Sequence, residues 1–165
     1  LMSQRLRLLK ANNLGLNDIQ AVIAKMRPLP GASEFLAWLR ERCQVIILSD
    51  TFYEFATPLM RQLGWPTLLC NTLAVDDDGA VCDYRLRQAD GKRQAVMALH
   101  ALHFKVIAAG DSYNDTSMLS EADAGILFRP PQNVTDEFPQ FPVTRNYQEL
   151  QQAFERAEQD LATDP

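Results

Sequence analysis

Apolar positions along the chain follow a helical rhythm at first. Ile19, Val22, Ile23 and Met26 recur at i, i+3, i+4 and i+7, the period of a helix with one buried face. Asn17 stands where it can cap that helix, with Gln20 at the third helical position answering it as in a capping box. Residues 1–27 therefore read as two helices. The run Arg27-Pro28-Leu29-Pro30-Gly31 ends the pattern, because proline cannot continue a helix and glycine adds a turn.

Beyond that break, helical and extended patterns alternate. Ala32, Phe35, Leu36 and Leu39 mark a helix, and Val45-Ile46-Ile47-Leu48 is an apolar run suited to a strand covered on both faces. A helix is predicted from about Tyr53 to Leu63, with Gly64 placed to end it. Leu68 to Val75 and Val81 to Leu86 flank Asp76-Asp77-Asp78-Gly79 and read as a hairpin with an Asp-Gly turn. A helix from about Lys92 to Leu102 precedes a second covered strand, Val106 to Ala109. A short helix near Thr116 to Ala122, a strand from Gly125 to Phe128, a proline-punctuated segment and an amphipathic helix with Tyr147, Leu150, Phe154 and Ala157 complete the chain. Alternation of this kind predicts an α/β fold, a three-layer sandwich around a mainly parallel sheet. The expected division is a helical piece over 1–28, a core over 29–146 and a C-terminal helix and tail over 147–165.

Composition narrows the function classes. The 165 residues are 47% hydrophobic and 22% charged, with 16 Lys+Arg against 21 Asp+Glu and a net charge of −5. That balance argues against disorder and against a nucleic-acid binder, which normally carries a basic excess. No run approaches the roughly 18 apolar residues of a membrane span. Cys43, Cys70 and Cys82 are widely spaced and form no C-x-x-C, so reduced thiols of a cytoplasmic protein are expected rather than a disulfide framework or a zinc site. Asp76-Asp77-Asp78 lacks the acid spacing of a calcium loop and reads as a turn, while His100 and His103 read as surface or packing residues.

Candidate chemistry collects at two predicted strand ends. In open α/β sheets ligands bind beyond the carboxyl ends of the parallel strands. One strand runs into Ser49-Asp50-Thr51, the other into Gly110-Asp111-Ser112-Tyr113-Asn114-Asp115. On neighbouring strands these would supply a hydroxyl and up to three carboxylates. Hard carboxylate oxygens suit Mg²⁺, which takes one or two protein carboxylates with substrate phosphate oxygens. Lys92, at a helix start, could neutralise the same phosphate. Taken singly, Ser49-Asp50-Thr51 also fits a helix cap, Gly110 to Asp115 a polar turn, and Lys92 a solvated lysine.

In their order along the chain, these segments resemble the haloacid-dehalogenase-type phosphotransferases. Within them the chain is similar to the phosphoserine phosphatase family, in its bifunctional form also described as homoserine phosphotransferase. The resemblance is carried by Val45 through Phe55, by Gly110 through Asp115 and by Phe138-Pro139-Gln140-Phe141-Pro142. It implies that Ser49 binds the transferring phosphoryl group and Lys92 neutralises charge on it. It further implies that Asp50 lies beside that site, Asn114 contacts the substrate phosphate region, Asp111 ligates Mg²⁺ and Asp115 supports the metal site. Arg5 matches the cap-helix arginine that holds the substrate carboxylate, a pairing suited to the guanidinium fork.

The implied mechanism is covalent: an aspartate attacks phosphorus, and water or an acceptor alcohol then removes the phosphoryl group. In the family that aspartate ends a first core strand, in an Asp-x-Asp or Asp-x-Glu motif ahead of the cap helices. This sequence opens inside a cap helix and shows no such strand, so the expectation is a fragment without the nucleophile, doubtful as an isolated catalyst. Expected partners are phosphoserine, with hydrolysis and transfer to homoserine both open, and a second copy of the chain in a homodimer. Neither nucleic acid nor membrane is expected. The competing reading is a non-catalytic remnant of the same fold that binds phosphate or a partner. A nucleotide-binding α/β domain is weaker, because no G-x-G-x-x-G follows a strand.

Overall fold

The computed structural model of the chain describes residues 2–163, with side chains from Gln4 onward. The chain divides into two compact units, the first ending at Ala89 and the second beginning at Asp90. The first contains α1 (Met2–Ala11), α2 (Leu16–Ile23), α3 (Ala32–Arg40), β1 (Ile46–Phe52), α4 (Tyr53–Gln62), β2 (Thr67–Val75) and β3 (Val81–Arg85). The second contains α5 (Gly91–Ala101), β4 (Ile107–Gly110), α6 (Tyr113–Glu121), β5 (Ala124–Phe128), α7 (Gln132–Glu137), β6 (Val143–Thr144) and α8 (Tyr147–Thr163). The fold is α/β with parallel sheets and helices, as the alternating pattern predicts.

In the first unit the strand order is β1-β2-β3, with β1 parallel to β2 and β2 antiparallel to β3. The hairpin turn between β2 and β3 forms because Asp76 Oδ1 accepts from Asp78 N at 3.1 Å and Ala80 N at 2.8 Å, while Gly79 takes a left-handed φ of 82°. Asp76 therefore builds the turn. Phe52, Leu73 and Val81 form a buried cluster on which Leu6, Leu9 and Ile19 of the two leading helices pack.

Helix α2 departs from expectation at its start. Gly15, not Asn17, precedes the first helical residue, and its N–H donates to Asp18 Oδ2 at 2.8 Å. The start is set by docking: Leu16 N donates to Gly79 O at 2.9 Å, and a Cβ on Gly15 would lie 2.8 Å from that oxygen. Gln20, freed from capping, donates instead to Glu54 O at 2.7 Å. The buried stripe also shifts, since Val22 and Met26 are exposed while Leu16, Ile19 and Ile23 are partly covered.

In the second unit β4, β5 and β6 are all parallel, in that order. Helices α6 and α8 pack on this sheet, and α5 packs on α6. Leu119, Ile126, Leu127, Val96 and Val134 are fully buried. Helix α7 and the short β6 lie in the segment that the prolines made look irregular. Thr144 of β6 is buried and donates its hydroxyl to Leu127 O at 2.9 Å. No helix among the described residues is long and apolar enough to cross a membrane.

Candidate active site

The C-terminal end of β4 is organised by one carboxylate. Asp115, in the first turn of α6, is 6% exposed. Its Oδ2 accepts from Asp111 N at 3.0 Å, Ser112 N at 3.0 Å and Ser112 Oγ at 2.9 Å. Its Oδ1 accepts from Lys92 Nζ at 2.7 Å. Both oxygens are thus engaged by protein donors, and the loop Gly110 to Ser112 is wrapped around them. Burial pushes the Asp115 carboxyl up, but the Lys92 hydrogen bond and charge, with the Ser112 amide and hydroxyl, outweigh it and hold the group below its ordinary value.

Gly110 is required here by space. A Cβ at this position would lie 2.4 Å from Asp115 Cβ and 2.6 Å from its Cγ. Any larger residue would drive the carboxylate off the amides it holds. Lys92 reaches Asp115 because α5, starting at Gly91, packs against α6. Arg93, next in sequence, binds Glu121 at the far end of α6 through Nε at 2.8 Å, which fixes the two helices in register.

Asp111 and Asn114 are exposed, in contrast to the buried Asp115. Among the described residues no group of three or more His, Cys, Asp or Glu side chains is arranged to hold a metal ion. The donor chemistry of the loop nevertheless fits Mg²⁺, which needs only one or two protein carboxylates and completes its shell with water and phosphate oxygens. Asp111 offers such a carboxylate, on a backbone held by Asp115.

In the first unit Ser49 and Asp50 lie within β1, which extends through the polar residues to Phe52 instead of stopping at Leu48. The pairing with β2 is irregular between Leu48 and Phe52. Within this bulge Thr51 N donates to Ser49 Oγ at 3.2 Å. Asn71, a buried polar residue on β2, braces it: Nδ2 donates to Asp50 O at 3.0 Å, and Oδ1 accepts from Arg87 N at 3.0 Å. Sequence reading missed Asn71. The available signal was one amide inside the apolar run Leu68 to Val75. Glu54 was missed as well, although its Oε2 accepts from Leu73 N at 3.0 Å and ties α4 to β2.

A cavity of about 710 Å³ opens beside this bulge. Arg5 of α1 lines it together with Asp50, Thr51 and Asn71, and the remaining wall is mainly apolar, including Phe52 and Leu86. The arrangement offers one guanidinium over a largely greasy wall. Of the sequence-predicted residues, Arg5, Ser49 and Asp50 belong to the first unit, and Lys92, Asp111, Asn114 and Asp115 to the second.

A family model described as haloacid dehalogenase-like hydrolase matches residues 5–123, a span that holds every one of these side chains. The chain belongs to the haloacid dehalogenase-like hydrolases. It is 62% identical over 157 residues to the phosphoserine phosphatase ThrH of Pseudomonas aeruginosa, covering 95% of this chain and 77% of that protein. It is 61% identical over 157 residues to a phosphoserine phosphatase of Pseudomonas syringae pv. tomato, covering 95% of this chain and 66% of that one. Among solved structures, a phosphoserine phosphatase in apo form superposes with a TM-score of 0.71 at 21% identity, covering 84% of this chain and 73% of that chain. A phospho-aspartyl intermediate analogue of phosphoserine phosphatase gives a TM-score of 0.70, also at 21% identity, over 84% of this chain and 70% of that one. At these identities the structural likeness is one of fold.

Proposed function

We propose that this haloacid dehalogenase-like hydrolase serves the Mg²⁺-dependent hydrolysis of phosphoserine, and that the residues described above are its phosphoryl-, metal- and carboxylate-handling groups. One observation carries the reading. At the end of β4 a single buried carboxylate, Asp115, holds Lys92 at 2.7 Å and the Asp111 amide at 3.0 Å, so a cation and an exposed acid are placed by the same group. The names of two relatives above 60% identity support the substrate.

In this reading Ser49 donates its hydroxyl to a phosphoryl oxygen, and the bulge that Asn71 braces keeps that hydroxyl aimed. Lys92 presents an ammonium to the phosphoryl oxygens while Asp115 holds it in place. Asn114 contacts the phosphate region, and Arg5 binds the substrate carboxylate with two parallel hydrogen bonds. Asp111 is the residue that would hold Mg²⁺, which when bound supplies positive charge to the developing negative charge of the phosphoryl oxygens. Asp115 supports that ligand through the Asp111 amide, since its own oxygens are already engaged.

The phosphoryl group would pass to an aspartate oxygen as the serine alkoxide leaves with a proton. Attack by water then releases phosphate, and attack by an alcohol transfers the group. None of the residues described here is assigned the nucleophile. Homoserine as the accepting alcohol is part of the proposal, as are a place in serine formation, a cytoplasmic setting and a homodimer.

The test is product analysis on the protein encoded by the full gene. With phosphoserine and Mg²⁺ it is expected to release serine and inorganic phosphate, and added homoserine is expected to divert part of the phosphate into O-phosphohomoserine. Phosphate release that homoserine leaves unchanged would remove the transfer reaction and keep the hydrolysis. No release from phosphoserine would overturn the reading.

A further inference from the structure

The loop that carries Asp111 is held from below by Asp115, and its outer side is held by a different set of contacts. Tyr113 is the first residue of α6, placed between the cap residue Ser112 and Asn114. Its ring meets Phe138 edge to face at 5.7 Å between centroids, and its hydroxyl donates to Glu137 at the end of α7. Phe138 in turn stacks on Phe141 at 6.3 Å. Phe141 lies over Gly125 of β5, where a Cβ would come within 2.9 Å of the ring. Val134, on the inner side of α7, has no exposed surface, so the short helix is anchored in the core.

These contacts form a continuous brace from the start of β5, through Phe141 and Phe138, to the start of α6. An exposed tyrosine at a helix N-terminus ordinarily has no reason to be fixed on two sides. Here Asp111, two residues ahead of it, and Asn114, the next residue of α6, are both exposed. We infer that Tyr113 is a positioning residue for the β4 loop, clamping the first turn of α6 to α7 so that Asp111 and Asn114 keep the orientation the phosphoryl site needs. The inference deepens the proposed function and rests on it, because it presumes that Asp111 is the metal-holding carboxylate.

Positioning of this kind has consequences that differ from simple loss of stability. An aromatic pair with a hydrogen bond behind it fixes a loop by enough to change the affinity of a dependent site about two- to tenfold. Loosening the clamp should therefore weaken Mg²⁺ binding and lower kcat by that amount, while KM for phosphoserine, set largely by Arg5 on α1, moves less. Amides of Asp111 and Ser112 should also exchange faster with solvent in the metal-free protein.

The experiment compares wild type, Tyr113→Leu, Tyr113→Phe and Phe138→Leu in the full gene product. Mg²⁺ affinity is measured by calorimetry, and amide exchange at Asp111 and Ser112 without metal. The expected result is a two- to tenfold loss of Mg²⁺ affinity with faster exchange in Tyr113→Leu and Phe138→Leu, and recovery of most of both in Tyr113→Phe, which keeps the ring. Asp111→Asn serves as the reference for the site itself. If wild type and Asp111→Asn bind Mg²⁺ alike, the proposed metal role fails and this inference with it. If Asp111→Asn loses the metal while folded Tyr113→Leu and Phe138→Leu bind and exchange as wild type does, the clamp alone is overturned.

Discussion

Lys92 and Asp115 stand 23 residues apart in sequence and 2.7 Å apart in the fold, with side chains only 13% and 9% exposed. A pair this covered is costly to break from one side, because the surviving charge stays buried without its partner. The same pair links the helix start that carries the lysine to the loop that carries Asp111. Stability and site geometry are therefore coupled at this point.

Lys92→Met should show both consequences. Removing one member of a buried pair costs about 3–5 kcal/mol, and the donors that remain on Asp115 place this case near about 3 kcal/mol. Urea unfolding of the variant checks the stability, and phosphoserine turnover measured below its unfolding transition should be nearly abolished. Unfolding at the wild-type midpoint would show that the pair carries no such load.

Gly110→Ala adds one methyl group where Asp115 Cβ would be 2.4 Å away. Forcing a methyl into a packed site typically costs about 1–3 kcal/mol. The carboxylate would be displaced from the Asp111 and Ser112 amides, so Mg²⁺ affinity should fall together with the melting temperature. A thermal melt and a Mg²⁺ titration of the same preparation read the two effects separately.

Asn71→Leu keeps the volume on β2 and removes two hydrogen bonds. It takes this partner from the Asp50 carbonyl and the Arg87 amide, both on exposed residues, at about 0.5–1.5 kcal/mol for each hydrogen bond. Phosphoserine KM should rise as the Ser49 bulge loosens, and denaturant unfolding together with steady-state kinetics would measure both.

Much of the fold was legible because it rests on local pattern. The β-branched run ahead of Ser49 and the Asp-Gly turn between two apolar stretches each name their element without help from the rest of the chain. Helix α7 and β6 were hidden because prolines at 130, 131, 139 and 142 break the pattern around elements of only six and two residues. The start of α2 was misplaced because Gly15 is selected by a contact with Gly79, far along the sequence, which no local cap signal records. At the site, the residue types at the strand ends could be read, while the steric need for a glycine at 110 appears only once Asp115 folds back over it. The bond between Lys92 and Asp115, the brace from Asn71 and the Tyr113 clamp could not be read. Each joins elements whose approach is decided by packing.

Acid should loosen the second unit through Asp123. Its carboxylate accepts from Val106 N at 2.7 Å and lies 3.0 Å from His100 Nε2 and 3.4 Å from Lys105 Nζ. Burial raises its pKa, and the Val106 amide with the His100 and Lys105 contacts outweighs that and holds it below the ordinary value. A carboxyl depressed in the folded state stabilises above its unfolded value of about 3.9, and that contribution is lost as pH falls through the folded value. Stability of wild type should therefore drop as pH falls below about 4. Asp123→Asn should be less stable near neutrality and show a shallower decline in that acid range, as read from urea midpoints at stepped pH.

The central claim is that the loop after β4 holds the metal of a phosphoserine phosphatase through Asp111. The most direct test is Mg²⁺-dependent phosphoserine hydrolysis by the full gene product and by its Asp111→Asn variant, which changes one oxygen for an amide nitrogen and keeps the shape. Wild type should turn over only with Mg²⁺ and the variant should lose that turnover while remaining folded. An unchanged kcat in Asp111→Asn would contradict the account.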